Sequence, residues 1–336
     1  MIVLRPFVFR QFATVIMTIS TIAAAGHPDQ PGVGRFVARV LSTPAGERRY
    51  KIYIPGSYNE STPIPLVVML HGCTQDPDDF ARGTRMNELA EVKRVLLVYP
   101  EQPESANPRK CWNWYEPAQQ KRDEGEPALI ATITRRVMQD YRVDTKRVYV
   151  AGISAGAAMA VTTAFLYPEL FAAVASHSGI AYGTAGNVTE ALAAMQGRST
   201  GDSTLVSRGL KAMGARARAM PAIVFQGASD HVVQPENAKQ IVAQFRAVQS
   251  AAKGPGGLDQ PVENGETPGG YHFTRAVHGT GDAMIEVWLV NELGHAWSGG
   301  SADGSFTDSR GPDATKEILR FFLEHSHSPS PAVPLK

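Results

Sequence analysis

Hydrophobic and polar positions along this chain fall into two recurring patterns. Short unbroken apolar runs (LVVML at 66–70, VLLVY at 95–99) have no polar alternation, which predicts strands covered on both faces, as in a parallel sheet. Between them, residues 84–92 (TRMNELAEV) carry helical spacing, and Pro100 ends the second run. Leu129, Ile130, Ile133, Val137 and Met138 share one helical face, which predicts a helix over 126–141. A strand (147–151), a glycine turn (152–156) and a small-residue helix (157–166) follow. Further strands are predicted at 171–176, 222–225 and 285–290, with helices at 237–248 and 313–325. Upstream, YKIY at 50–53 alternates and follows the turn-like Pro44-Ala45-Gly46, so an antiparallel pair opens the folded part. Strands alternating with helices specify an α/β fold with a mostly parallel central sheet and helices on both faces.

Two stretches fit neither pattern: 181–219 and the Gly-, Pro- and Asn-rich 254–270. They are expected to be long loops or caps near the functional site. Before the predicted elements, Arg5 and Arg10 precede an apolar run that ends in Ala23-Ala24-Ala25, so residues 1–25 read as a secretory signal. The alternative is a frayed amphipathic N-terminal helix or a misassigned start codon. The expected organisation is this signal, a single catalytic domain over 34–325 and a polar, Pro-rich, disordered tail over 326–336. Export makes the expected location secreted or periplasmic.

Composition narrows the partners. The 336 residues are 43% hydrophobic and 19% charged, enough apolar material for a large core, and the formal net charge of +1 leaves no excess to condense on phosphate. Nucleic acid is therefore not an expected partner. No apolar stretch reaches bilayer-spanning length, so no stable membrane span is expected. The two cysteines, Cys73 and Cys111, suit either one disulfide in an oxidising compartment or two buried thiols.

The chemistry centres on Gly152-Ile153-Ser154-Ala155-Gly156, a GxSxG match between a β-branched strand and a small-residue helix. In a nucleophile elbow the glycines allow a sharp turn that lifts the serine oxygen above the sheet edge, with the helix N-terminus beside a developing oxyanion. A serine hydroxyl needs a base, and the base needs an orienting acid. Asp230 follows the strand at 222–225, and His295 follows the strand at 285–290, in the order the elbow requires. Alone, an Asp in such a turn is an ordinary cap and a lone His a satisfied surface or core group. Three strand ends supplying the trio in order make Ser154, Asp230 and His295 the expected catalytic residues. His71-Gly72-Cys73 ends the first parallel strand, where a second oxyanion donor belongs. The backbone N–H groups of Cys73 and Ala155 are the expected donors, with Gly72 permitting close approach and His71 bonding nearby backbone. His71, His177 and His295 lack metal-ligand spacing, so neither metal nor cofactor is expected.

The stretches LVVMLHGCTQ, YPEQPESANPRKCWNWY, RVYVAGISAGAAMA, HSGIAYG and GHAWSGGSADGSFTDSRGPDAT resemble the catalytic domain of the poly(3-hydroxybutyrate) depolymerase family of esterases, of the α/β-hydrolase superfamily. The resemblance runs from about Gly34 to His325; HGCTQ, CWNW and GHAWSGG are specific to the family, whereas GxSxG is general. It implies Ser154, Asp230 and His295 as the triad, Cys73 as an oxyanion donor, a Cys73–Cys111 bridge, and Trp112 and Trp114 near the substrate crevice. Core packing beside the bridge is the other reading of the tryptophans. The implied activity is hydrolysis of short-chain hydroxyalkanoate esters by a monomer acting on a small-molecule or polymeric ester. Related domains act as feruloyl or acetylxylan esterases, which is the alternative. Relatives that attack crystalline polymer append a polymer-binding domain, and this sequence stops after its closing helix, so soluble oligomers, amorphous polymer or other short-chain esters are the expected substrates.

Overall fold

The computed structural model describes residues 33–43, 46–198, 202–253 and 257–327. The signal-like residues 1–25 and the tail beyond residue 327 lie outside the described residues, as does the centre of the Pro44-Ala45-Gly46 turn. In chain order the elements are β1 (Arg35–Thr43), β2 (Gly46–Ile54), β3 (Ile64–Leu70), α1 (Pro77–Thr84), α2 (Met86–Lys93), β4 (Leu96–Pro100), α3 (Gly125–Asp140), β5 (Val143–Ile153), α4 (Ala155–Leu166) and β6 (Ala173–His177). They continue with α5 (Val188–Met195), α6 (Asp202–Met213), β7 (Ala222–Gly227), α7 (Glu236–Lys253), β8 (Glu263–Glu266), β9 (His272–His278), β10 (Ile285–Val290), the short β11 (Trp297–Ser298) and β12 (Thr307–Asp308), and α8 (Ala314–Glu324).

Among the described residues these strands build a ten-stranded sheet in the order β1-β2-β4-β3-β5-β6-β7-β10-β9-β8. From β4 to β10 neighbouring strands are parallel, and an antiparallel pair closes each edge. Every residue of β3 is buried. Its alternation divides the core: Leu66, Val68 and Leu70 pack with Ile130 of α3 and Val161 of α4, while Val67 and Met69 pack with Met86 of α2 and Phe322 of α8. An apolar run without polar alternation is thus the signature of a strand with helices on both faces. Each such side chain contributes about 1.5–3 kcal/mol relative to exposure.

The register places the site. Leu70 pairs with Gly152, Ile153 with His177, His177 with Phe225, and Gly227 with Val290. The C-terminal ends of β3, β5, β7 and β10 therefore lie along one edge, where the next few residues of each segment meet.

Three departures from the sequence reading have local causes. The helix expected over 84–92 starts at Met86, because Arg85 takes a left-handed φ of 54° and separates α2 from α1, a further helix over Pro77–Thr84. Residues 181–219 are not a plain loop: Asn187 accepts the Glu190 N–H at 3.0 Å and caps α5, and α6 follows. The described part of 254–270, residues 257–270, is not a cap: it contributes β8, whose pairing with β9 extends the sheet edge, and it does not line the cavity of the site. At the other end, the His327 N–H donates to the Lys146 carbonyl at 3.1 Å.

Candidate active site

Ser154 stands between β5 and α4 with φ 57° and ψ −124°, a left-handed backbone costly for a residue with a Cβ. The flanking glycines account for the turn. A Cβ on Gly152 would lie 2.4 Å from the Gly156 carbonyl oxygen, and one on Gly156 only 2.1 Å from that of Leu70. All of α4 is buried, and its alanines let it lie close against the sheet. The Ser154 N–H donates to the His177 carbonyl at 2.9 Å, which ties the elbow to the end of β6.

The structure brings the predicted trio together. Ser154 Oγ lies 2.9 Å from His295 Nε2, and His295 Nδ1 lies 2.8 Å from Asp230 Oδ2. Because the carboxylate accepts only, Nδ1 carries the proton and Nε2 is free to accept from the serine hydroxyl. Asp230 is fully buried and also accepts from the N–H groups of Val232 (2.9 Å) and Val233 (2.8 Å). Burial pushes its carboxyl upward, but the His295 hydrogen bond and charge and these two N–H groups outweigh that and hold it below the ordinary aspartate range.

His71, Gly72 and Cys73 follow β3 beside the elbow. As the first residue of α4, Ala155 has an N–H without an intrahelical acceptor. Cys73 donates its N–H to no protein acceptor among the described residues, and both residues line one cavity with Ser154 and His295. A Cβ on Gly72 would meet Gln75 Oε1 at 3.2 Å, so the close approach there is tight rather than prohibitive. Cys73 and Cys111 are bridged.

A buried polar network supports this wall. His71 Nε2 accepts the Gln102 N–H at 3.1 Å, and its Nδ1–H faces the Gly72 carbonyl at 2.8 Å. Glu126 accepts from Gln102 Nε2 (2.5 Å), from Asn113 Nδ2 (2.7 Å) and from the Asn113 N–H (2.8 Å), and burial raises its carboxyl nonetheless. Trp112 is fully buried with its indole N–H on the His71 carbonyl at 3.1 Å, while Trp114 is 7% exposed; both line the cavity. His177 lies beneath: its ring stacks on Trp297 at 5.0 Å and accepts the Ser298 N–H at 3.0 Å, fixing the loop that follows His295. Burial lowers His71 to about 4 and His177 to about 3, so both rings are neutral near pH 7. The three histidines are thus engaged separately, and no group of three or more metal-ligating side chains occurs among the described residues.

The cavity holds about 520 Å³, and much of its wall was not legible in the sequence. Val188, Ala191, Leu192 and Met195 of α5, with Val232 and Val233, give it an apolar side. The available signal was the Asn187/Glu190 cap followed by apolar residues at i, i+4 spacing.

Comparison with known proteins bears on fold and family. An acetyl xylan esterase from Aspergillus awamori superposes with a TM-score of 0.66 at 21% identity, covering 85% of this chain and 99% of that one. An S-formylglutathione hydrolase from Agrobacterium tumefaciens does so with a TM-score of 0.55 at 17% identity, covering 88% and 97%. At these identities the likeness is one of fold, and the fold is that of the α/β-hydrolases. In sequence, the chain is 33% identical over 236 residues to poly(3-hydroxyalkanoate) depolymerase C of Paucimonas lemoignei, covering 69% of this chain and 54% of that protein. It thus spans about half the length of that relative. It is also 26% identical over 254 residues to feruloyl esterase B of Thermothelomyces thermophilus, covering 73% of this chain and 82% of that protein. Residues 48–259, more than half of the chain, match the family described as esterase PHB depolymerase, and the chain belongs to that family.

Proposed function

We propose that this protein is a serine esterase that hydrolyses short-chain hydroxyalkanoate esters through an acyl-serine intermediate. The observation that carries the reading is the linked geometry of Ser154, His295 and Asp230 at a cavity with an apolar side. His295 Nε2 takes the Ser154 proton as Oγ attacks the ester carbonyl, and Asp230 stabilises the resulting imidazolium. The Cys73 and Ala155 amides receive the oxyanion. His295 then gives the proton to the departing alkoxide, and a water activated by the same ring releases the acid and restores Ser154.

An apolar wall favours an acyl group of a few carbons over a sugar, because a glycan surface needs hydrogen-bonding side chains, and the α5 residues that line the cavity, Val188, Ala191, Leu192 and Met195, supply none. Feruloyl esters are the second reading, supported by the feruloyl esterase relative and by Trp114 and Tyr115, which line the cavity in a T-shaped pair at 5.6 Å. The test compares kcat/KM on 3-hydroxybutyrate oligomers with that on feruloylated and acetylated xylan. Faster turnover of the oligomers supports the leading reading, and faster release of ferulate or acetate overturns it. The basic, then apolar, then small-residue start of the chain and the disulfide support export to an oxidising compartment.

A further inference from the structure

The charge of this cavity points to a property of the substrate. No aspartate or glutamate is among its lining residues, and Arg109 is the one lysine or arginine among them. Three of the neighbouring polar side chains are already engaged. Gln75 Oε1 accepts the Gly72 N–H at 2.9 Å and its Nε2 donates to Asp79 at 3.0 Å. Asn107 Oδ1 accepts the Arg109 N–H at 2.9 Å and its Nδ2 donates to Asn113 at 2.8 Å. Thr74 Oγ1 donates to the Cys73 carbonyl at 2.6 Å. The Arg109 guanidinium, by contrast, is exposed and pairs with no described residue. Carboxylates of the flanking segments are held elsewhere: Asp79 by Ser305 and Gln75, and Glu104 by Lys110 at 3.9 Å.

The base of this side chain is fixed although its tip is free. The Arg109 carbonyl accepts the Thr74 N–H at 2.6 Å, one residue from the amide assigned to the oxyanion, and the Cys73–Cys111 bridge ties the same two segments. A guanidinium anchored at the rim of a cavity without carboxylates is suited to a planar anion, which it can bind through two parallel N–H groups.

We propose that Arg109 is a carboxylate-binding subsite, and that the preferred esters are those whose alcohol part ends in a free carboxylate, as the acid end of a hydroxyalkanoate oligomer does. This rests on the esterase reading above and adds the chemical class of the leaving group. In the reaction, the ester C–O bond breaks as the acyl carbon bonds to Ser154 Oγ. The alkoxide takes the proton held by His295 and departs as a hydroxy acid whose carboxylate lies on Arg109. Water then cleaves the acyl-serine, so one ester and one water give two acids.

The test uses the full-length protein and two substrates: the linear dimer of 3-hydroxybutyrate as its free acid, and the same dimer capped as the N-methylamide. Wild type should favour the acid by about three- to tenfold in kcat/KM, mainly through KM, as a partly exposed Arg–carboxylate pair allows. Raising sodium chloride to about 0.5 M should shrink that preference. Arg109→Gln should bring the ratio to about one, and Arg109→Lys should keep part of it. The ratio is internal to each enzyme, so a general loss of activity or fold in a variant cancels. A ratio equal in wild type and Arg109→Gln overturns the subsite. Failure of wild type to hydrolyse p-nitrophenyl butyrate overturns the esterase reading itself, whereas turnover of that ester with equal rates on the two dimers overturns only the subsite.

Discussion

Replacing Cys111 with serine removes the covalent tie between residues 38 apart in sequence while leaving the Cys73 amide in place. In the chain-entropy account, releasing a loop of that size returns to the unfolded chain freedom worth about 4 kcal/mol at 25 °C. The folded state should change much less, because the same segments are held by other bonds. Thr74 N–H meets the Arg109 carbonyl at 2.6 Å, the Trp112 indole meets the His71 carbonyl at 3.1 Å, Gln102 Nε2 meets the Cys111 carbonyl at 3.0 Å, and the Asn113 N–H meets Glu126 at 2.8 Å. Each contributes about 0.5–1.5 kcal/mol net, enough together to keep the wall docked. The expected outcome is therefore asymmetric: stability falls by up to about 4 kcal/mol, roughly 8 °C in Tm for a domain of this size, while kcat on p-nitrophenyl butyrate falls less than about tenfold. Loss of an oxyanion donor would instead cost a hundredfold or more. Equilibrium unfolding in guanidinium chloride and steady-state kinetics on both proteins provide the check. A hundredfold loss of kcat with little change in stability refutes the reasoning, since the bridge itself would then be positioning the amide. A stability change below about 1 kcal/mol refutes the loop-entropy argument.

Stability should fall as pH drops from about 6.5 towards 4. His71 and His177, lowered by burial to about 4 and about 3, stay neutral in the fold while the unfolded chain takes up protons, which costs roughly 3 kcal/mol for each by pH 4. Asp230, held low in the fold, removes further stability only as pH falls below the unfolded aspartate range, and Glu126, raised by burial, opposes the trend as pH falls towards its ordinary value. Unfolding free energies that stay flat between pH 6.5 and 4.5 would contradict this. Separately, Leu192→Ser thins the apolar wall and should lower kcat/KM for p-nitrophenyl butyrate about fivefold while changing that for the acetate little, a loss of about 1 kcal/mol of apolar contact. An unchanged butyrate-to-acetate ratio would remove α5 from the acyl site.

What the sequence revealed follows from how each element is buried. Strands β3 and β4, covered on both faces, show uninterrupted apolar runs, and α8 falls one residue inside each end of the expected 313–325, with Asp313 as its N-cap and His325 just past its end. Strand β5 begins earlier than expected, at Val143, because Asp144, Thr145 and Lys146, which follow it, are polar and partly exposed and carry no hydrophobic pattern. The same holds for β8, whose ENGE residues lie on the sheet edge and are largely exposed. Helix α5 was hidden for the opposite reason. Its Val188 and Leu192 are 59% and 60% exposed and face the cavity rather than the core, so a search for core-facing periodicity passes over them. The serine, acid and base were legible because their spacing follows strand ends. The buried network behind the His71 wall was not, since Gln102, Asn113 and Glu126 are distant in sequence from His71 and are linked to it, through Gln102, only by the fold.

The central claim is that Ser154 and His295 act as one unit on an ester carbonyl, and a double-mutant cycle in kcat on p-nitrophenyl butyrate tests it most directly. Ser154→Ala and His295→Ala should each lower turnover by roughly a factor of a million, with the double variant hardly worse than either, because removing one member disables the other. Melting temperatures near that of wild type would establish that the fold persists in all three. A loss of less than tenfold in Ser154→Ala, or losses that multiply in the double variant, would contradict the account and assign the two residues to separate roles.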